Sequence, residues 1–502
     1  MSSYQEDAQA LAQLFAHTSD DLQGGYTLST NLTMSTGSYN YFWGSQEEGG
    51  WLTSEELDAL VDVGTRNEDS NYYVLTGEHP QPLPELGLDH HDSFREQAVQ
   101  GLFSYEWHDQ GSTARQLTDW IAEDFTSSDD EGVIRAGNGF AGLMEIITDP
   151  DIHDALTKTG VDVTEGENEY TNASFTQFNG ELADSLANVF DAHIYSFANG
   201  DIYDTNDIPV EGIGLYEHDT GLVQMGPQER AMYMQYLMGN DESAGYVVNS
   251  VDLYQQIESI AYLDSGNAPS SARGAGQLQA LLEQALDMES KNRTDDLDEQ
   301  IDRKTQITDS IVGEAGSLSE KIPAIGAAVA QALELGQESI VQTIVDGEYD
   351  VSPHFPTYTT DEHIERAFSL ETLDFVSQNN PGELNKVTNL DDLRILVDGG
   401  ALSIERNGES INSEDIGSSF TFDDSIMISL EKNPNEWSAN TMSELDTMDS
   451  AMRDVLKKID INVDGEEASG ASYVSDFVPD YTSAYNTTRN FFDNQASEEE
   501  VN

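Results

Sequence analysis

Along the first half of this chain, apolar residues recur every three or four positions, the period of a helix with one buried face. Residues 4–16 show it over one short segment. In STARQLTDWIAEDF, Leu117, Trp120, Ile121 and Phe125 share a face, and Thr113 with Gln116 has the spacing of a capping box. In GELADSLANVFDAHIYSF the stripe is Leu182, Leu186, Val189, Phe190, His193 and Phe197. His193 on that face reads as a core histidine with satisfied ring nitrogens. NSVDLYQQIESIAY turns Leu253, Ile257, Ile260 and Ala261 inward, behind Ser250 as N-cap. Acidic, Gly- and Asp-rich turns such as NGDIYDTNDIPVEGIG separate these segments. The pattern predicts a mainly α protein, a multi-helix bundle with acidic loops.

Elsewhere the pattern is weaker. A polar stretch rich in Thr, Ser and Asn follows the first helix and predicts no element. YNYFWGSQEEGGW, residues 39–51, sets Tyr39, Tyr41, Phe42, Trp43 and Trp51 beside Gly44, Gly49 and Gly50. It reads as an aromatic-rich loop, either tucking its rings into the core or offering them as a contact surface. From Gln277 to Gly313 longer polar helices are expected. There Asp287 with Lys291, Glu289 with Arg293 and Glu299 with Arg303 stand four apart, the spacing of a solvated, ion-paired face. IPAIGAAVAQALELG, residues 322–336, reads as a buried helix, too short and too interrupted to span a bilayer. After residue 350 HFPTYTTDEH resembles a linker. LRILVDGGALSIERNGESI admits two readings: short strands with RNGE as a hairpin turn, or a helix stopped by Gly-Gly. SELDTMDSAMRDVLKKI predicts one more helix. The organisation expected is an N-terminal region over 1–90, a helical domain over 91–275, long helices over 276–350, a smaller C-terminal region with some α+β character over 351–490, and a disordered acidic tail over 491–502.

Charge changes the picture most. The 502 residues hold 95 acidic and 21 basic side chains, a formal net charge of −74, and the first lysine is Lys158. Like charge at that density destabilises a compact state in dilute buffer. Molar salt relieves it, because the Debye length at 1 M is about 3 Å. The balance resembles proteins of extreme halophiles and predicts a high-salt cytoplasm as the setting. It argues against nucleic acid and anionic membrane as partners, since phosphate contacts need basic patches. There is no cysteine, so disulfides and thiol chemistry are excluded. No cleaved secretion signal is expected from MSSYQEDAQALAQLF, which has neither a basic start nor a long apolar run.

Candidate chemistry is thin. DINVDGEEASGA matches the first half of an EF-hand loop through Asp460, Asn462, Asp464 and Gly465. Ala471 stands where the closing bidentate Glu belongs, so the stretch reads as a turn ending the preceding helix. His90 and His91 in DHHD are zinc-type ligands, but their side chains diverge and no HExxH pair supports them. Nucleophile-elbow, phosphate-loop and dinucleotide fingerprints are absent. Carboxylate pairs such as Glu55 and Glu56 carry no information among so many acids. No catalytic, cofactor or metal residue is therefore expected, nor any cofactor.

Over residues 107–262 the order WHDQGSTARQLTDWIAEDF, GLMEIITDPDIHDALTKTG, ELADSLANVFDAHIYSFANG, QERAMYMQYLMGN and VDLYQQIESIAY resembles a helical region of large uncharacterised actinobacterial proteins. Those proteins are linked with WXG100-type and polymorphic-toxin secretion. The WXG hairpin itself is not evident, because Gly44 directly follows Trp43. The resemblance implies a helical scaffold, with export without a cleaved signal as an open route. Two functional readings stand: a non-enzymatic scaffold of an extreme halophile that binds other proteins or itself, tied to a secretion or toxin system; and a tail or capsid protein of a halophilic archaeal virus.

Overall fold

In the computed structural model the Thr/Ser/Asn-rich stretch that predicted no element is a helix of 18 residues, Tyr26–Trp43, and much of the N-terminal packing is organised around it. The structure describes residues 3–19, 23–44, 50–79, 92–127, 130–165, 168–170, 173–200, 213–215, 221–264, 269–293, 364–366, 368–369, 372–373, 375–376, 393–398, 401–406, 409–410, 450, 452–454, 456–463 and 466–499. They divide into two units, one of residues 1–248 with 284–328 and the other of 249–283 with 329–502.

The first unit begins with α1 (Ser3–Phe15), α2 (Tyr26–Trp43), α3 (Ser54–Thr65), α4 (Glu68–Thr76) and α5 (Asp92–Ser104). Helix α2 packs against α3, α4 and α5, most extensively against α5. The α2–α5 crossing is set by two glycines. A Cβ at Gly37 would lie 2.2 Å from the Ala98 carbonyl oxygen, and one at Gly101 would lie 2.0 Å from the Gly37 carbonyl oxygen. Small polar side chains are buried along α2 as well: Ser29, Thr30, Thr33, Thr36, Ser38 and Asn40, alongside Leu32 and Met34, with Thr33 set against Gly64 of α3. Thr30 donates to Ser70 Oγ at 3.1 Å. The side chains of Ser29, Thr33, Ser38 and Asn40 have no hydrogen-bond partner among the described residues. Burying such a group costs about 1–3 kcal/mol each, a cost that close packing of α2 must offset.

Local stops are well made. Thr53 and Glu56 form a reciprocal capping box at the start of α3. Asn67 Oδ1 caps α4 by accepting from Ser70 N at 3.0 Å. Helix α4 ends on Gly77 with φ of 72°, a conformation that favours glycine. Buried Arg95 then donates to the Val74 and Leu75 carbonyls at 3.1 and 2.6 Å, a cation on the negative end of the helix. The box read at Thr113 and Gln116 does not form. Residues Ala114–Leu117 are a 3-10 turn, Thr113 makes no side-chain cap, and Gln116 donates to Asp62 Oδ1 instead.

The first unit continues with α6 (Asp119–Phe125), α7 (Asp130–Ile147), α8 (Pro150–Thr157), the hairpin β1 (Val163–Glu165) and β2 (Asn168–Tyr170), then α9 (Phe175–Phe178), α10 (Gly180–Ala192) and α11 (Ile194–Ala198). The antiparallel pair β3 (Ile213–Leu215) and β4 (Val223–Met225) and helix α12 (Pro227–Leu237) follow. Leu182, Leu186, Val189 and Phe190 are buried on α10, as their stripe predicted. His193 is buried between Phe140, stacked at 4.3 Å, and Phe125, at 4.0 Å. Neither ring nitrogen has a partner among the described residues, so the expectation of a satisfied histidine is corrected. Its pKa falls to about 3 because burial penalises the charged ring.

Helices α13 (Asp241–Asp264) and α14 (Pro269–Arg293) each contribute residues to both units. Ser250 lies within α13 and is buried, so it caps nothing. The expected division at 275/276 falls inside α14. Glu289, assigned to a solvated face, is instead buried and accepts from Gln235 at 3.4 Å.

In the second unit Tyr262 meets Phe368 and Phe477 edge-on, and those two rings stack at 3.8 Å. A polar chain runs from Gln255 to Gln279 at 3.2 Å and on to Glu283 at 3.2 Å, where Tyr485 also donates at 2.6 Å. The strand reading of 393–410 holds: β5 (Leu393–Asp398), β6 (Ala401–Arg406) and β7 (Glu409–Ser410) form an antiparallel sheet, with Asp398 opposite Ala401. Residues of the calcium-like stretch form β8 (Asp460–Val463) and β9 (Glu466–Ser469), with Asp460 opposite Ser469 and Asn462 opposite Glu467. Asp460 and Asn462 thus sit in a strand, not in a turn closing a helix. Helix α15 (Gly470–Glu499) carries through most of the tail expected to be disordered. The protein is mainly helical with small antiparallel sheets, the larger share of strand lying toward the C-terminus. No described helix is long and apolar enough to cross a membrane. Residues 201–212 of the acidic turn, Glu299 with Arg303, 322–336, 354–363, Asp464 with Gly465, and His90 with His91 lie outside the described residues.

Candidate interaction surface

The aromatic stretch at 39–51 divides at the end of α2. Tyr39 and Trp51 are structural. The Tyr39 Oη accepts from the Trp51 and Leu52 amides at 2.6 and 3.1 Å, and the two rings meet edge-on at 5.1 Å. Tyr41, Phe42 and Trp43 are the last residues of α2, not a loop, and they are 38, 55 and 42% exposed. Three consecutive helical residues span most of a turn, so one neighbour cannot cover all three. Trp43 was a candidate contact in sequence; Trp51 was too, and the structure gives it to the fold.

Past the end of α2, Gly44 adjoins Tyr105, which has carboxylates near it. The Gly44 amide closes α2 by donating to Asn40 O at 2.7 Å. On its other side a Cβ at Gly44 would be 3.2 Å from the Tyr105 ring. Tyr105 meets Trp107 edge-on at 4.8 Å and lies within electrostatic reach of Asp58 and Glu106. Asp58 is half-buried, with Oδ1 lacking a partner among the described residues. Burial, then the Asp109 carboxylate, push its pKa up to about 6 against the opposing pull of His108. Asp109 is occupied, accepting from the Gly111 and Thr113 amides at 3.1 and 2.8 Å.

The cations of this segment are committed elsewhere. Residues 1–120 contain three arginines and twenty carboxylates. Arg66 pairs with Asp62, Arg95 with Asp92, and Arg115 with Asp119 and Glu181. The same unit shows what a cation does when it meets aromatics and acids together. Arg135 lies 4.8 Å from the Trp120 ring centroid and 6.0 Å from that of Tyr72, and pairs with Glu68, Asp69 and Asp124.

Among the described residues no group of three or more His, Asp or Glu is placed to hold a metal ion. Residues 1–120 match the model of a family described as a TPR repeat domain. No curated protein and no solved structure matches the chain. Repeats of that class are helix–turn–helix units that stack and offer extended surfaces to protein partners. Helices α1 to α5 lie wholly within the matched segment, and α3 and α4 are joined by Arg66 and Asn67 alone. The sequence reading missed the repeat character here, because α2 buries Ser and Thr and so has no apolar stripe to reveal its period. Residues 1–120 are thus helical and similar to a TPR repeat domain.

Proposed function

We propose that this chain is a non-enzymatic helical scaffold that holds protein partners in molar salt. The observation that carries the reading is the TPR-type match over residues 1–120, on helices that leave the end of α2 exposed. The salt setting is supported by the charge of −74 and by the commitment of the arginines of residues 1–120 to internal carboxylates. An association with a secretion or toxin system rests on the resemblance of residues 107–262 alone. Two measurements test the proposal. Circular dichroism should lose helix as KCl falls from multi-molar to about 0.1 M, where the screening length grows to about 10 Å; full retention would remove the salt setting. Cross-linking of the full chain in native lysate at molar salt should give specific protein partners, and a substrate turned over by the purified chain would end the non-enzymatic reading.

A further inference from the structure

We propose that α8 is an acid-released element: it stays docked while His153 is neutral and leaves its neighbours when that ring is protonated. His153 lies on α8 with its Nε2 buried. Its ring stands 5.2 Å from that of Tyr236 on α12. The Gln235 amide, also on α12, faces the imidazole closely enough to favour its charged form. Yet His153 Nε2 and Gln235 Oε1 make no hydrogen bond to each other, and neither atom has another partner among the described residues. Gln235 Nε2 is turned to the Glu289 carboxylate on α14, at 3.4 Å, and both of those side chains are buried. The imidazole is thus held where three helices meet, with its buried nitrogen unsatisfied, and a second proton there adds charge away from water.

The charged groups around the ring are Asp154 and Lys158 beside it on the chain and, through Gln235, Glu289 of α14. Tyr236 is the titratable neighbour on α12, and its hydroxyl donates to the Ile147 carbonyl at 2.6 Å. Burial lowers the His153 pKa to about 4, against Gln235 and Asp154 and with Lys158. An undocked ring regains its ordinary value near 6.5, so the docked state binds fewer protons and loses stability as pH falls from about 6.5 toward 4. Glu96 of α5, near the Asp149 cap, acts in the opposite sense: burial, then Asp149 and Asp92, raise its pKa. The release is local because α8 has only eight residues and is marginal without its neighbours. Ile152 and Leu156 are its buried apolar contacts, and the Thr157 carbonyl accepts from Asn292 at 2.9 Å. His193, between the rings of Phe125 and Phe140, has no such single helix to move. Acid therefore uncovers Ile152 and Leu156, which are hidden at neutral pH.

The chain has no cysteine, so one introduced thiol reports on one place. Thr157→Cys, buried and nearly isosteric, reports on α8, and Leu156→Cys replaces it if that variant does not fold. Ser185→Cys, buried on α10, reports on the rest of the first unit. The full chain is labelled in molar KCl with a dipyridyl disulfide, which reacts with thiols in acid. Each rate is divided by that of the same variant unfolded in guanidinium at the same pH. Relative labelling of Thr157→Cys should rise about twentyfold from pH 7 to pH 5, the linkage expected of the lowered histidine. Adding His153→Phe, with melting at pH 8 matched, should flatten that rise. Labelling at Ser185→Cys should change far less. An equal rise with His153→Phe would take the effect from this ring. An equal rise at Ser185→Cys would make it unfolding of the whole unit. Labelling that is unchanged or slower in acid would mean that protonation does not release α8. Any of these three results overturns the proposal.

Discussion

In α10 the inward residues are Leu182, Leu186, Val189 and Phe190; in α2 they include Ser29, Thr30, Thr33, Thr36, Ser38 and Asn40, while Leu28, Tyr41, Phe42 and Trp43 are exposed. Both helices belong to one unit. What separates them is the distance to the neighbouring backbone. At Gly37 and Gly101 toward α5, and at Gly64 of α3 against Thr33, neighbouring atoms stand where a Cβ would be, and a helix held that close has room only for small side chains. Helix separation follows the side chains at the contact. Hydropathy decides burial where there is volume to fill, and size decides it where there is not. Of its aromatic residues Tyr26 and Tyr39 are held by internal contacts, and Tyr41, Phe42 and Trp43 in the last turn are exposed.

The largest test of this comparison is Gly101→Leu. It should abolish the α2–α5 crossing and unfold the N-terminal helices, read as loss of cooperative unfolding in guanidinium at molar KCl. Leu186→Ala on α10 should cost about 3 kcal/mol by leaving a cavity, without changing the helices of residues 1–120. If Gly101→Leu is tolerated, close approach does not organise α2.

Thr33→Val is the opposite experiment. The hydroxyl is buried without a partner, so an isosteric methyl should stabilise by about 1 kcal/mol. A destabilised variant would reveal a partner for that hydroxyl. Leu186→Asn should be strongly destabilising, which keeps the two helices distinct.

Acid separates the two neighbourhoods again. His193 has a folded pKa lowered to about 3, below the ordinary value near 6.5. The unfolded chain therefore binds more protons between those values, and this site loses stability as pH falls from about 6.5 toward 3. Asp58, raised to about 6, behaves oppositely: its folded form holds the proton more tightly, and stability is lost as pH rises from about 4 through 6. Asp184, also raised to about 6 by burial and by Glu242, acts in the same sense. Melting at pH 5 relative to pH 7 should rise by about 2–4 °C in His193→Phe and fall by a similar or smaller amount in Asp58→Asn, taking roughly 1 kcal/mol as the scale. Shifts of the same sign would contradict the assignment.

The smallest effect is expected at the α2 end. Phe42→Ser/Trp43→Ser should move stability by no more than about 0.5 kcal/mol, because the rings are exposed. A large loss would return them to the core.

These contrasts mark where the chain was legible. The stripes of α6 and α10 announced helices because their volumes fill a core at helical period. The strands at 393–410 were legible as one of two readings, since β-branched alternation and Gly-Gly allow either. Helix α2 was not legible, because its inward face is polar and its period is carried by residue size. The Thr53–Glu56 cap went unread beside a wrong one at Thr113, since the box pattern does not say where the chain begins to turn. Of the candidate surface, Trp43 was named from its type and Gly neighbours, whereas Asp58 and Tyr105 were not, being ordinary residues in an acidic chain until α3 and the end of α5 bring them beside α2.

By itself the sequence determined the helical class, the absence of thiol chemistry and the acidic charge, because each follows from composition or from a period written locally. Tertiary structure alone decided which face of α2 is buried, that His193 has no hydrogen-bond partner among the described residues, and that Tyr41, Phe42 and Trp43 remain outside. The buried face of α2 depends on how near one backbone comes to another, a distance set by Gly37 meeting Gly101 across more than sixty intervening residues, and His193 lacks partners because the rings of Phe125 and Phe140 enclose it.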